Sequence, residues 1–90
     1  MDLTVQASAS PTDPARLAEI LRDPGFCRYP CDLMVVAKYQ DGQWHDAGVV
    51  PYGPLTMDPS TNSLHYGQSI FEGLKAYRQP DGSLALFRPE

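Results

Sequence analysis

Basic residues are scarce in this chain. Seven Lys and Arg face eleven Asp and Glu over 90 residues, for a formal net charge of −4. The cations are scattered, so no basic stripe exists to neutralise phosphates, and nucleic acid is a poor partner class. Long apolar runs are missing too. Nothing approaches the roughly 20 apolar residues of a membrane span, and no basic stretch followed by an apolar one opens the chain. The sequence reads as non-membrane and cytoplasmic. Cysteine is nearly absent: Cys27 and Cys31 lie in Phe26-Cys27-Arg28-Tyr29-Pro30-Cys31. That spacing is neither a redox C-x-x-C nor a zinc set, and His45 and His65, twenty residues apart, do not complete one. Both cysteines read as reduced, half-buried thiols.

The chain is also short. A domain of this size buries roughly 60–65% of the surface its unfolded chain exposes, so its core is marginal without a staple or partner. Nine Pro and seven Gly punctuate it into short elements, which argues against a large helical bundle. Residues 1–12 are small and polar without a period, and are expected as a flexible tail. Residues 13–90 form the folded part. Asp13-Pro14 starts a helix, with Leu17, Ile20 and Leu21 on one face to dock on a sheet, and Pro24-Gly25 ends it. Leu33–Tyr39 and Trp44–Val50 flank Asp41-Gly42 as a first hairpin, and Leu74–Arg78 and Ser83–Arg88 flank Pro80-Asp81-Gly82 as a second. Between them, Asn62 or Ser63 caps a short helix that Gly73 ends. The fold class is α+β, antiparallel hairpins with short helices. The chain stops just after a strand, as a piece of a longer protein would.

The informative stretch is Leu64-His65-Tyr66-Gly67-Gln68-Ser69-Ile70-Phe71-Glu72-Gly73-Leu74-Lys75-Ala76-Tyr77-Arg78. Physically it is a polar, aromatic turn feeding a strand. Tyr66 and Phe71 either line a small apolar pocket or fill core between helix and sheet.

This stretch, with "VPYGPLTMDP" before it and "PDGSLALFRPE" after it, resembles the N-terminal part of branched-chain amino-acid aminotransferases. Those are pyridoxal-phosphate enzymes of fold type IV. "HYG" followed by "FEG" is specific to the fold-type IV group, and "FEGLKAYR" points to the branched-chain branch. The resemblance implies an incomplete N-terminal small domain from a homodimer that holds pyridoxal 5'-phosphate between two domains. It further implies amino transfer between Leu, Ile or Val and 2-oxoglutarate, with amino acids and 2-oxo acids as partners. At the matching positions Phe71 walls the pocket for the branched side chain, Tyr66 lines it, and Gly73 leaves room beside Phe71. Pro30 stands where the family often has a ring, and Leu33 where it has His; Tyr29 is a candidate replacement for the ring.

The catalytic set is absent from these residues. Pyridoxal-phosphate chemistry needs a lysine to hold the cofactor, donors for its phosphate and a carboxylate at its pyridine nitrogen. Lys38 and Lys75 are the only lysines, and neither matches the family's catalytic position. Lys75 reads as an ordinary strand-face lysine and Glu72 as a structural partner. No catalytic, cofactor-binding or metal-binding residue is expected here, and the chain alone is expected to be inactive. The competing reading is a non-catalytic truncated protein or small interaction module that keeps the domain's shape; a Cys/His metal module is a third.

Overall fold

Asp13 sets the first boundary. The computed structural model describes residues 3–89, and in it a nine-residue helix, α1 (Pro14–Arg22), starts at the Asp13 cap. The Asp13 carboxylate accepts from the Arg16 N–H at 3.4 Å, and Pro14 takes the first helical position, where its missing N–H costs nothing. Arg16 and Glu19, one turn apart, pair at 2.9 Å.

The strands are β1 (Thr4–Val5), β2 (Leu33–Gln40) and β3 (Gln43–Pro51) in one sheet, ordered β1-β3-β2. The second sheet is β4 (Ala76–Arg78) with β5 (Leu84–Leu86), and a helical turn, α2 (Asn62–His65), precedes it. This is the expected α+β arrangement of antiparallel hairpins and short helices. It divides into two compact units, one up to Leu55 and one from Thr56.

In the first unit, Asp41 and Gly42 both take positive φ, +52° and +77°, as a two-residue type I′ turn requires. Glycine meets that demand without strain, and Asp is among the few other residues that tolerate it. The turn sets the register Tyr39↔Trp44, whose rings meet edge to face at 5.2 Å between centroids. A register shift between Val36 and Lys38 bends the hairpin. Ala47 is the only buried hydrophobic side chain among the described residues.

Three features depart from expectation. Residues 1–12 were assigned to a flexible tail, yet Thr4 and Val5 pair in parallel with Gly48 and Val49 of β3, and the Gln6 N–H reaches the Val49 carbonyl at 2.8 Å. Gly48 allows the approach, since a Cβ there would lie 2.8 Å from the Thr4 hydroxyl. Met1 and Asp2, the start of that tail, lie outside the described residues, as does Glu90. Second, α1 does not pack on the β1-β3-β2 sheet of its own unit. Leu17, Ile20 and Leu21 instead face the Tyr29–Asp32 loop across a cavity of about 240 Å³. The three large apolar side chains find enough apolar surface in Pro24, Tyr29 and Pro30. Third, α2 ends at His65 with Tyr66 as its cap, and Gly67 rather than Gly73 follows as the stop. Gly67 takes φ +62°, the left-handed conformation that stops a helix, and Thr61 rather than Asn62 or Ser63 is the cap residue.

Asp32 ties the N-terminal segment to the start of β2. Its carboxylate accepts from the Thr12 hydroxyl at 2.5 Å and the Thr12 N–H at 3.0 Å, while its carbonyl accepts from the Tyr52 N–H at 2.9 Å. The Thr12 hydroxyl, then the Thr12 N–H, hold the Asp32 carboxyl below the usual carboxylate range. A lowered folded-state pKa means the link contributes above the ordinary carboxylate pKa and is lost as pH falls through the lowered value. The Thr12 amide resonance is therefore expected to shift only in that acid window, and Asp32→Asn to remove the transition. A Thr12 amide that titrates in the ordinary carboxylate range in the wild type would contradict the link.

Candidate functional site

The three residues expected to form the pocket, Tyr66, Phe71 and Gly73, all lie in the second unit. Tyr66 caps the C-terminal end of α2, with φ −113° and its N–H bonded to the Asn62 carbonyl at 2.7 Å. The turn before it is built by local bonds: Ser60 donates its N–H and hydroxyl to Asp58, and the His65 ring meets the Pro59 carbonyl at 2.6 Å. The Asp58 carboxyl is accordingly pulled below its ordinary range, by the Ser60 hydroxyl first and the Ser60 N–H second. Residues 68–75 then run without regular structure into β4.

Phe71 and Gly73 are brought together. A Cβ on Gly73 would sit 4.0 Å from Cε1 of the Phe71 ring, and no other side chain comes within 4 Å of that point. Tyr66 does not reach it. Tyr66 and Phe71 are 79% and 88% exposed, so neither ring fills core among the described residues. The second candidate wall, Tyr29, belongs to the first unit and is engaged there. The Arg16 and Arg28 guanidinium groups lie 5.8 and 5.3 Å from its ring centroid.

Gly73 also lines a cavity of about 530 Å³ with Leu74, Lys75, Tyr77, Phe87 and Arg88. Lys75 precedes β4 instead of lying in it, because pairing begins only at Ala76↔Leu86. The hairpin itself closes as the sequence suggests: the Gly82 N–H bonds the Gln79 carbonyl at 2.9 Å and Gly82 takes φ +86°, a three-residue loop with a bulge.

The thiols differ from expectation in burial. Cys27 and Cys31 are both exposed and unbridged, and Cys31 Sγ donates to the Leu33 carbonyl at 2.7 Å. Among the described residues no three His, Cys, Asp or Glu side chains gather as metal ligands would.

No family model matches the chain. Individual proteins do. A probable branched-chain-amino-acid aminotransferase of Streptomyces coelicolor is 54% identical over 89 residues, covering 98% of this chain and 25% of that protein. The branched-chain-amino-acid aminotransferase of Mycolicibacterium smegmatis is 53% identical over 91 residues, with 100% and 25% covered. Branched-chain-amino-acid transaminase 1 of Bacillus subtilis is 54% identical over 67 residues, covering 73% of this chain. In sequence, the chain is a homologue of branched-chain-amino-acid aminotransferases. It spans about a quarter of the length of the first of these relatives.

Aminotransferases of this kind imply pyridoxal phosphate, and the described residues do not fit that group by themselves. Lys38 and Lys75 are both exposed, and no charged or polar side chain is buried among the described residues to cradle a phosphate. Neither lysine is therefore expected to form a borohydride-reducible adduct when the 90-residue chain meets micromolar pyridoxal phosphate. Peptide mapping after reduction reads this directly. A stoichiometric adduct on either lysine would overturn it.

Proposed function

We propose that residues 13–90 are the partial N-terminal domain of a branched-chain amino-acid transaminase and that they recognise the substrate's side chain. The supporting observation is the 54% identity that runs across 98% of the chain. In this reading the full-length protein transfers an amino group between Leu, Ile or Val and 2-oxoglutarate in the cytoplasm, as a homodimer carrying pyridoxal phosphate. The cofactor, its lysine and its phosphate donors belong to the rest of that protein.

What these residues do is bind and orient. The exposed Phe71 ring offers an apolar wall, and the missing Cβ of Gly73 leaves a slot beside it for a branched side chain. Tyr66 adds a second ring with a hydroxyl. Burying an aliphatic side chain against such walls contributes about 25 cal/mol per Å² of apolar area removed from water.

The test is leucine turnover with 2-oxoglutarate by the full-length protein that contains this segment. Formation of glutamate and the 2-oxo acid of leucine is expected. A folded, cofactor-loaded protein that turns over none of Leu, Ile and Val would overturn the reading and favour the non-catalytic module.

A further inference from the structure

We propose that Arg16, Arg28 and Tyr29 form a binding site for a short aliphatic monocarboxylate whose tail enters the cavity beside α1. The site lies wholly in the first unit and does not rest on the transaminase reading. Two features meet at Tyr29. One is cationic: the Arg16 and Arg28 guanidinium groups lie 5.8 and 5.3 Å from its ring centroid, and Arg28 Nη2 is 3.5 Å from its hydroxyl. Like charges gathered on one ring repel each other, and an anion bound beside them offsets that repulsion. The other feature is apolar. Tyr29 lines the cavity of about 240 Å³ together with Leu17, Ile20, Leu21, Pro24 and Pro30.

Gly25 places Arg28. It takes φ +65°, and a Cβ there would lie 2.5 Å from Arg28 Cδ and 3.3 Å from Cγ, so the Arg28 stem folds over the bare Cα. The residue before it, Pro24, and the residue after Arg16, Leu17, both line the cavity. The cations therefore adjoin its walls. No acid among these residues is free to hold an ammonium. The Asp32 carboxylate accepts from Thr12 through both oxygens, and Glu19 pairs with Arg16 at 2.9 Å. This favours an acid without an amino group over an amino acid. The Arg16–Glu19 pair is exposed, and such pairs hold weakly enough for a ligand to displace Glu19. Arg28 takes part in no ion pair among the described residues. An apolar cavity of about 150 Å³ takes a six-carbon ring, so the larger one here admits a tail of about five or six carbons. Short fatty acids and the 2-oxo acids of aliphatic amino acids share this chemistry.

The experiment measures hexanoate binding to the cofactor-loaded full-length protein by equilibrium dialysis. Affinity is expected to rise roughly fourfold per methylene from butyrate to hexanoate, and to level off beyond it as the cavity fills. Arg28→Gln is expected to weaken hexanoate roughly tenfold, the effect of losing one charge-assisted bond. Arg22→Gln, the same charge change at the far end of α1, should leave the affinity unmoved. Equal affinities in Arg28→Gln and Arg22→Gln would overturn the proposal. So would hexanoate binding that Phe71→Ala weakens and Arg28→Gln does not, since that ligand would sit in the candidate substrate pocket. If Arg28→Gln does not fold, Arg16→Gln carries the same comparison, and an unmoved affinity there overturns it likewise. Repeating the series with the 2-oxo acid of leucine tells the two sources apart: the tighter Arg28-dependent ligand is the one the site takes. A protein that binds hexanoate through Arg28 and turns over none of Leu, Ile and Val removes the transaminase reading and leaves this site standing. One that turns over leucine and binds no hexanoate removes this site alone.

Discussion

Phe71→Ala in the full-length enzyme is expected to lower the ratio of kcat/KM for leucine over alanine by about tenfold or more. Apolar pockets discriminate a missing methylene by about 1–3 kcal/mol, and removing the ring takes away the wall that reads several carbons at once. Glutamate should suffer less, because a carboxylate gains little from an apolar ring. The alternative is that Phe71 packs inside the domain. Truncation would then cost about 3–5 kcal/mol of stability and leave the substrate ratio of the folded enzyme unchanged. Within the described residues the ring is 88% exposed and packs on little, so either outcome is decided by what covers it in the full-length enzyme. Measuring the melting temperature together with the leucine/alanine ratio separates the two. A large drop in stability with an unmoved ratio would show the pocket assignment to be wrong.

The elements legible in the sequence are those governed by local chemistry. Asp13-Pro14 starts α1 and Asp41-Gly42 turns the first hairpin, because capping and positive φ are decided by the residues at those positions. The β4–β5 turn is local in the same way. Ser83 donates its N–H and hydroxyl to Asp81, which holds the Asp81 carboxyl below its ordinary range through the hydroxyl first. What the sequence did not disclose depends on contacts between distant segments. Thr4 and Val5 carry no β pattern of their own; they pair because Gly48 leaves room on the free edge of β3. The seat of α1 against the Tyr29–Asp32 loop adjoins the Thr12–Asp32 link, which spans twenty residues. Of the candidate site, the meeting of Phe71 and Gly73 was legible because they are two residues apart. The start of the strand was less legible: β4 begins at Ala76, two residues after Leu74, which leaves Lys75 outside it.

Produced alone, the 90-residue chain is expected to self-associate and to melt without a sharp transition. Its total accessible surface is 8602 Å² for a mass of 9.9 kDa. A compact monomer of that mass exposes about 5,200 Å², and even two separate compact units of that combined mass would expose only about 6,300 Å². The excess is apolar to a large degree: Ile70 is fully exposed, and Phe26, Tyr66, Phe71 and Phe87 are each more than three-quarters exposed. Among the described residues the single buried hydrophobic side chain, Ala47, cannot offset a conformational entropy cost of about 1.5 kcal/mol per ordered residue. Apolar area on this scale seeks cover from a partner surface, and in isolation the nearest available one is another copy. Sedimentation should show concentration-dependent oligomers, with dye binding to exposed apolar surface. Extending the chain to the full-length protein should suppress both, because the same rings would be covered within one molecule. A monodisperse monomer with a cooperative melt above the usual mesophile range of about 45–65 °C would overturn this expectation. It would mean that the two units bury their apolar faces by themselves, and that Phe71 and its neighbours are core residues and not walls of a binding site.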